Sequence, residues 1–295
     1  MLKRLFLETR PQFLTLSVVL MFLGTIIAWY DGFFHFRHAL LAGLGLLLAH
    51  ISANTLNDYF DYKSKIDLAT QRTPFSGGSG FLPEGLLSSR QVLWLGTITF
   101  VLAMVIGIYF IAVKGLLLLP LLIVAAICVL LYTPFILKTP SPEWAAGLGM
   151  GFLPIVGLYF AQSGAYTWHA VIAAVPSGIL VYNLLLLNEF PDVEADKVGK
   201  RKTLPIISGK AVASKVFIAT TALVYLWIIG WVIAGIMPVF SLIALLTLPF
   251  AFKAVKGALN YDDMRRLVPG MASNVMVVLI TQLLMGIGYI LGAVL

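Results

Sequence analysis

Apolar runs of about 20 residues, almost free of charge, recur along the whole chain, and this feature leaves it few ways to fold. A helix that crosses the hydrocarbon core of a bilayer needs about 20 mostly apolar residues. Nine stretches meet that requirement: roughly Pro11–Tyr30, Ala39–Asn57, Gln91–Val113, Leu116–Leu137, Glu143–Gln162, Trp168–Asn188, Ala211–Ala234, Pro238–Val255 and Gly270–Ala293. Pro120, Pro154, Pro176 and Pro249 fall inside them. Membrane helices accept such breaks when neighbouring groups satisfy the freed carbonyls. The expected fold class is therefore all-α: a polytopic membrane protein with nine transmembrane helices around a central cavity, forming one membrane-embedded domain over residues 1–295.

Composition supports this and removes other classes. Hydrophobic residues make up 60% of the chain and charged residues 11%, with a mean hydropathy of +0.97. A soluble domain of this length needs more polar surface. The net charge of +7 does not point to nucleic acid, because basic residues at one face are the default for a membrane protein. The run from Phe13 to Tyr30 is too long for the apolar core of a cleavable signal and no small-residue cleavage site follows, so it reads as the first span. Cys128, the single cysteine, lies in an apolar run and reads as a buried, inert thiol.

The distribution of cations orients the chain. With nine spans, 18 of the 20 Lys and Arg residues fall at one set of span ends, and only Arg37 and Lys114 at the other. That split predicts a cytoplasmic N-terminus and an external C-terminus; the expected location is a prokaryotic cell membrane. Outer connections are short. Two inner ones, Asp58–Arg90 and Glu189–Lys210, are long and polar, as functional loops tend to be.

Seven of the 13 acidic residues lie in two short inner segments. One reads Asn57-Asp58-Tyr59-Phe60-Asp61, then Asp67, Arg72 and Pro74. The other reads Asn188-Glu189-Phe190-Pro191-Asp192, then Asp196, Lys202 and Pro205. Both follow an apolar span and share the order Asn-acid-aromatic-x-Asp, which suggests a duplicated helix-plus-loop unit. Asn57 and Asp61 are four residues apart, so a helix puts them on one face; Asn188, Asp192 and Asp196 would form a stripe. Pro191 either kinks that helix or begins a new one. Carboxylates near a membrane are costly without a cation. All-oxygen ligands suit Mg2+ or Ca2+ rather than zinc, and Mg2+ usually completes its shell with water and substrate phosphate. Two facing aspartate clusters with basic neighbours thus point to a Mg2+-bound diphosphate.

These motifs resemble the two aspartate motifs of UbiA-type intramembrane prenyltransferases. The likeness covers essentially the whole chain: nine spans, motifs after the second and sixth, and Arg10-Pro11 before the first. It implies Mg2+ as cofactor (two ions), an isoprenyl diphosphate donor and a small aromatic acceptor. By resemblance, Asn57, Asp61, Asp67, Asp192 and Asp196 hold metal; Arg72, Lys138 and Lys202 hold diphosphate; Tyr132 stands near the reacting carbon. Asp61, Asp192, Lys138 and Tyr132 are the expected catalytic residues, with Asn188 and Asp58 in the cavity. The wide Asp61-x5-Asp67 gap and the Gly77–Gly80 run are similar to the menaquinone-type branch, whose acceptor is 1,4-dihydroxy-2-naphthoate. Other branches take 4-hydroxybenzoate or geranylgeranylglyceryl phosphate.

Such chemistry needs no triad. Loss of diphosphate from an allylic carbon is eased by cations at the leaving group, and the allylic cation needs a dry pocket that aromatic faces such as Tyr132, Tyr59 or Phe60 can line. Gly77–Gly80 lacks the lysine of a P-loop and reads as a loop that closes over the diphosphate. His50 and Asn183 read as packing or cavity residues; an amide inside a span can bond a neighbouring helix. The expected partners are the bilayer and small molecules, with no nucleic acid and no obligatory protein. A cation- or proton-coupled transporter is the competing class, but the acids sit at span ends on one side.

Overall fold

The computed structural model describes residues 1–70 and 72–295, and among these every regular element is helical. A short helix, α1 (Leu2–Glu8), precedes α2 (Pro11–Tyr30) and α3 (Phe36–Lys63). A four-residue helix, α4 (Ile66–Ala69), and a polar loop lead to α5 (Ser89–Lys114), whose start is fixed by a Ser88–Gln91 capping box. Next come α6 (Leu116–Leu130), α7 (Glu143–Ser163) and α8 (Trp168–Val198). A second four-residue helix, α9 (Leu204–Ile207), precedes α10 (Lys210–Ile233), α11 (Val239–Leu259) and α12 (Met264–Val294).

Among the described residues, eight of these helices are long and apolar enough to cross a membrane, and the fourth of the nine expected spans is not one of them. The stretch expected as a span over Leu116–Leu137 is helical only to Leu130. Leu131–Phe135 turns and Ile136–Lys138 forms a single 3-10 turn. The cause is local: Pro134 cannot donate to a continuing helix and disfavours helical geometry in the residue before it. Fifteen residues at 1.5 Å each span about 22 Å, less than the roughly 30 Å hydrocarbon core.

The two motif helices run past the limits expected for them. α3 continues to Lys63 and α8 to Val198, so most of both motifs is helical rather than looped. Pro191 lies inside α8 without ending it. In α7 the residues Leu148–Phe152 form a π-bulge, an insertion that often marks functional sites.

The main core is built where α2, α8 and α12 meet, around Leu20, Leu23, Ile27, Leu180, Val278 and Tyr289. Large apolar side chains such as Ile108, Leu226, Ile233 and Phe252 point outward, as a surface solvated by lipid permits. A polar clasp closes the end of the bundle opposite the motifs: Asp31 accepts from Tyr159 Oη (2.6 Å) and pairs with His169 Nδ1 (2.8 Å), whose Nε2 lies 3.0 Å from Tyr289 Oη. Burial alone would raise the Asp31 pKa, but the bonds from His169 and Tyr159 outweigh it and lower it.

Candidate active site

The chain's first acidic motif reaches the site at the end of α3, where Asn57 Nδ2 donates to Asp61 Oδ2 at 3.1 Å. The i, i+4 face expected from the spacing is therefore present. The second motif arrives on α8, with Asp192 and Asp196 one turn apart. After each motif the backbone turns through a non-glycine residue with positive φ, Lys65 (64°) or Lys200 (57°), and then enters a four-residue helix. The same local course after both motifs agrees with a duplicated unit. The other two non-glycine residues with positive φ among those described, Arg10 and Ser141, also lie at this end. Left-handed geometry is costly for such residues and clusters where a site requires it.

Both motifs open onto one cavity of about 300 Å³. Its polar end is lined by Asn57, Asp61, Asp67, Asn188, Asp192 and Asp196, and its depth by apolar residues including Phe13, Leu16, Leu184 and Leu279. Tyr132 lines it too, with a buried hydroxyl that has no partner among the described residues. His50 contributes to the wall while its Nδ1 pairs with Ser17 Oγ at 2.8 Å. Asn183 bonds Thr220 and Thr221 of α10, the interhelical role open to a buried amide.

One cation at the centre was missed in the sequence. Arg201 pairs with Asp196 (2.7 Å) and also with Asp61, so it ties the two motifs together. Burial opposes its charge, but the two carboxylates outweigh that and raise its pKa. No sequence signal marked it: the left-handed turn at Lys200 exists only in the folded chain, and it sends the next residue, not Lys202, back toward α8. Lys202 is exposed; its N–H donates to Leu137 O, and its carbonyl accepts from Ser141 N, both at 3.0 Å. That pairing sets Lys138, also exposed, beside it at the rim. Arg72 bonds Glu84 at 2.7 Å. None of the three basic residues expected at the diphosphate lines the cavity; Arg10 and Arg201 do.

Asp58 turns away from Asp61. It pairs with Arg10 and accepts from Ser79 N at 3.2 Å, while Ser79 Oγ donates to the buried Glu8 at 2.6 Å. Burial raises the Glu8 pKa, opposed by Ser79 and Arg10. The N-terminal segment thus holds the glycine-rich loop down, and Phe75–Gly78 line the cavity. Ser76 Oγ reaches Asp192 Oδ1 at 3.4 Å. A loop over the polar end was expected, and this one is anchored. Tyr59 packs with Leu82 and Leu87 instead of facing the cavity.

The donor set fits hard cations. Asp61, Asp67, Asp192 and Asp196 place four carboxylates around one guanidinium, and Asn188 Oδ1 is buried with no partner among the described residues. Crowding shows at Asp67, whose pKa is raised to about 7 by burial and by Asp61. In this arrangement, no three of the described His, Cys, Asp or Glu side chains converge as a ready metal cage. Arg201 instead occupies the position between the motifs.

The chain is similar to known proteins over most of its length. The chain is 30% identical over 273 residues to the 1,4-dihydroxy-2-naphthoate octaprenyltransferase of Bacillus subtilis, covering 90% of this chain and 85% of that one. It is 28% identical over 208 residues to the digeranylgeranylglyceryl phosphate synthase of Thermococcus kodakarensis, covering 70% of each. A solved UbiA homologue from Aeropyrum pernix superposes with a TM-score of 0.73 at 17% identity, over 95% of this chain and 98% of that one. Another, from Archaeoglobus fulgidus and bound to DMAPP and Mg2+, superposes with a TM-score of 0.63 at 16% identity, over 92% and 97%. With the UbiA prenyltransferase family matching residues 17–292, this chain belongs to that family of membrane enzymes.

Proposed function

We propose that this prenyltransferase moves an isoprenyl group from its diphosphate to a small aromatic acceptor, and that the acceptor is 1,4-dihydroxy-2-naphthoate, on the way to menaquinone. The observation that carries the reading is the meeting of both aspartate motifs at the polar mouth of an otherwise apolar cavity. The mouth suits a diphosphate and the cavity an isoprenyl tail. The naphthoate rests on the motif spacing and on the similarity to the Bacillus subtilis enzyme.

Asn57, Asp61, Asp67, Asp192 and Asp196, with Asn188 beside them, would hold Mg2+. Bound there, the ions supply positive charge to the leaving diphosphate. The chain's own residues do the rest. Arg201 and Arg10 offer fixed positive charge to the diphosphate oxygens at the mouth, with Lys138, Lys202 and Arg72 at the rim as donor-capturing cations. The Phe75–Gly78 loop excludes water that would otherwise trap the allylic cation. Tyr132 presents its ring from the wall. The electron-rich acceptor ring attacks the allylic carbon, a carbon–carbon bond forms, and a proton or carbon dioxide leaves the ring. We read the chain as crossing the membrane nine times, with α6 and the turns after it completing one short crossing. The cytoplasmic end then carries the motifs, the N-terminus and 18 of the 20 basic residues.

A second reading, with geranylgeranylglyceryl phosphate as acceptor, is favoured by the similarity to the Thermococcus kodakarensis enzyme. One assay separates them. Membranes containing the chain receive labelled prenyl diphosphate, Mg2+ and, separately, dihydroxynaphthoate, hydroxybenzoate and the glyceryl phosphate. Prenylated naphthoate is the expected product. Consumption of the glyceryl phosphate alone would replace the acceptor, and turnover that survives chelation would remove the metal site.

A further inference from the structure

A second cleft lies at the motif end of the bundle, away from the active site. It has a volume of about 370 Å³ and runs between the end of α11 and the start of α12. Lys253, Lys256 and Asn260 line it from α11; Arg266 and Ser273 line it from α12. Their spacings of three, four and seven residues put each set on one helical face. The floor is formed where Gly257 meets Gly270: a Cβ on Gly257 would lie 2.6 Å from Gly270 Cα. Side chains there would fill the cleft and part the helices.

Its chemistry is one-sided. Among the described residues, none that lines it is acidic. Among the described residues neither lysine has an acidic partner, and the acidic partner of Arg266 is the exposed Asp263 at a long 3.5 Å, beside a 2.8 Å bond to Asn260 Oδ1. The flanks are apolar and outward-facing: Phe252 and Leu259 on α11 are 64% and 56% exposed, and Met276 on α12 is 40% exposed. A cationic cleft at the helix ends, bordered by lipid-facing apolar side chains, has the layout of a phospholipid with an anionic head and two acyl chains.

We propose that this cleft binds the phosphate-bearing headgroup of an anionic phospholipid, with its acyl chains lying against the outer faces of α11 and α12. The two lysines and Arg266 supply the charge, and Asn260 Oδ1 holds the Arg266 guanidinium in place at 2.8 Å. A basic residue near an anionic lipid surface contributes about fivefold in affinity. The positive charge expected along this end of any membrane protein would attract anionic lipid diffusely; the cleft predicts a discrete site.

The test titrates the purified full chain in detergent with phosphatidylglycerol, phosphatidylcholine and glycerol 1-phosphate, counting bound molecules by native mass spectrometry. One phosphatidylglycerol is expected to be held preferentially. K253Q/K256Q should weaken it by about 25-fold. K210Q/K215Q, which removes the same charge elsewhere at this end, should change it less than threefold. R266Q alone should cost about fivefold, which keeps the test decisive if the double variant does not fold. Equal losses in both doubles, phosphatidylcholine bound as well as phosphatidylglycerol, or glycerol phosphate bound as tightly as the lipid would each overturn the proposal.

Discussion

Replacing Arg201 with methionine tests the central feature of the site. Its side chain is 13% exposed, and its partners Asp61 and Asp196 are 9% and 2% exposed, so both pairs are shielded from water. Removing one partner of a buried ion pair typically costs about 3–5 kcal/mol, because the other charge is left uncompensated. Here two carboxylates lose the same cation, with Asp67 and Asp192 already close. In the presence of a chelator R201M should therefore unfold at clearly lower temperature, with a loss of roughly 4 kcal/mol. Mg2+ competes for the same oxygens. At a hundred times its dissociation constant a bound ion stabilises a fold by about 2.7 kcal/mol, and the stabilisation by a given Mg2+ concentration should be larger in R201M than in wild type. Thermal unfolding in detergent, with chelator and across a Mg2+ series, reads both effects. The paired variant R201M/D196N should be less destabilised than the sum of its singles by about 1–3 kcal/mol. Loss of a fixed cation at the leaving group should also lower kcat/KM by roughly 10²–10³-fold. Stability within about 0.5 kcal/mol of wild type in chelator, or Mg2+ stabilisation equal in the two proteins, would refute the reasoning.

Asp67, with its pKa raised to about 7, makes the metal-free fold favour the protonated carboxyl. Its contribution to stability is fully present at pH values below the ordinary carboxylate range and declines as pH rises toward 7, because the folded state binds the extra proton. Mg2+ must displace that proton, so apparent Mg2+ affinity should rise about fivefold from pH 6 to pH 7 and flatten above about pH 8; D67N should reduce the slope in a pH series of Mg2+ titrations. Gly78 has φ of +73°, and a Cβ there would sit 3.2–3.4 Å from Asp58, Asp67 and Arg10. G78A should raise donor KM at least tenfold, while G85A, at φ +66° with nothing within 4 Å, should leave it unchanged; initial rates over donor concentration decide this. E8A removes the anchor of Ser79, and hydrogen exchange should show faster exchange over residues 76–80, with no change at the Asp31–His169 clasp.

The amino-acid sequence by itself determined the membrane class, the positions of most spans, the helical faces of Asn57–Asp61 and Asn188–Asp192–Asp196, and the family. These are properties of local period and solvent: apolar runs select lipid, and four-residue spacing selects one helical face, whatever the rest of the chain does. The tertiary structure decided which cation meets the carboxylates, because a left-handed turn at Lys200 aims Arg201 inward and leaves Lys202 on the rim. It decided that Asp58 serves the loop rather than the mouth, since Arg10 and Ser79 arrive from segments 48 and 21 residues away in the chain. It shortened α6, where Pro134 stops a helix that hydropathy alone extends. Ion pairs between distant segments depend on where turns direct each chain, and no local pattern encodes that.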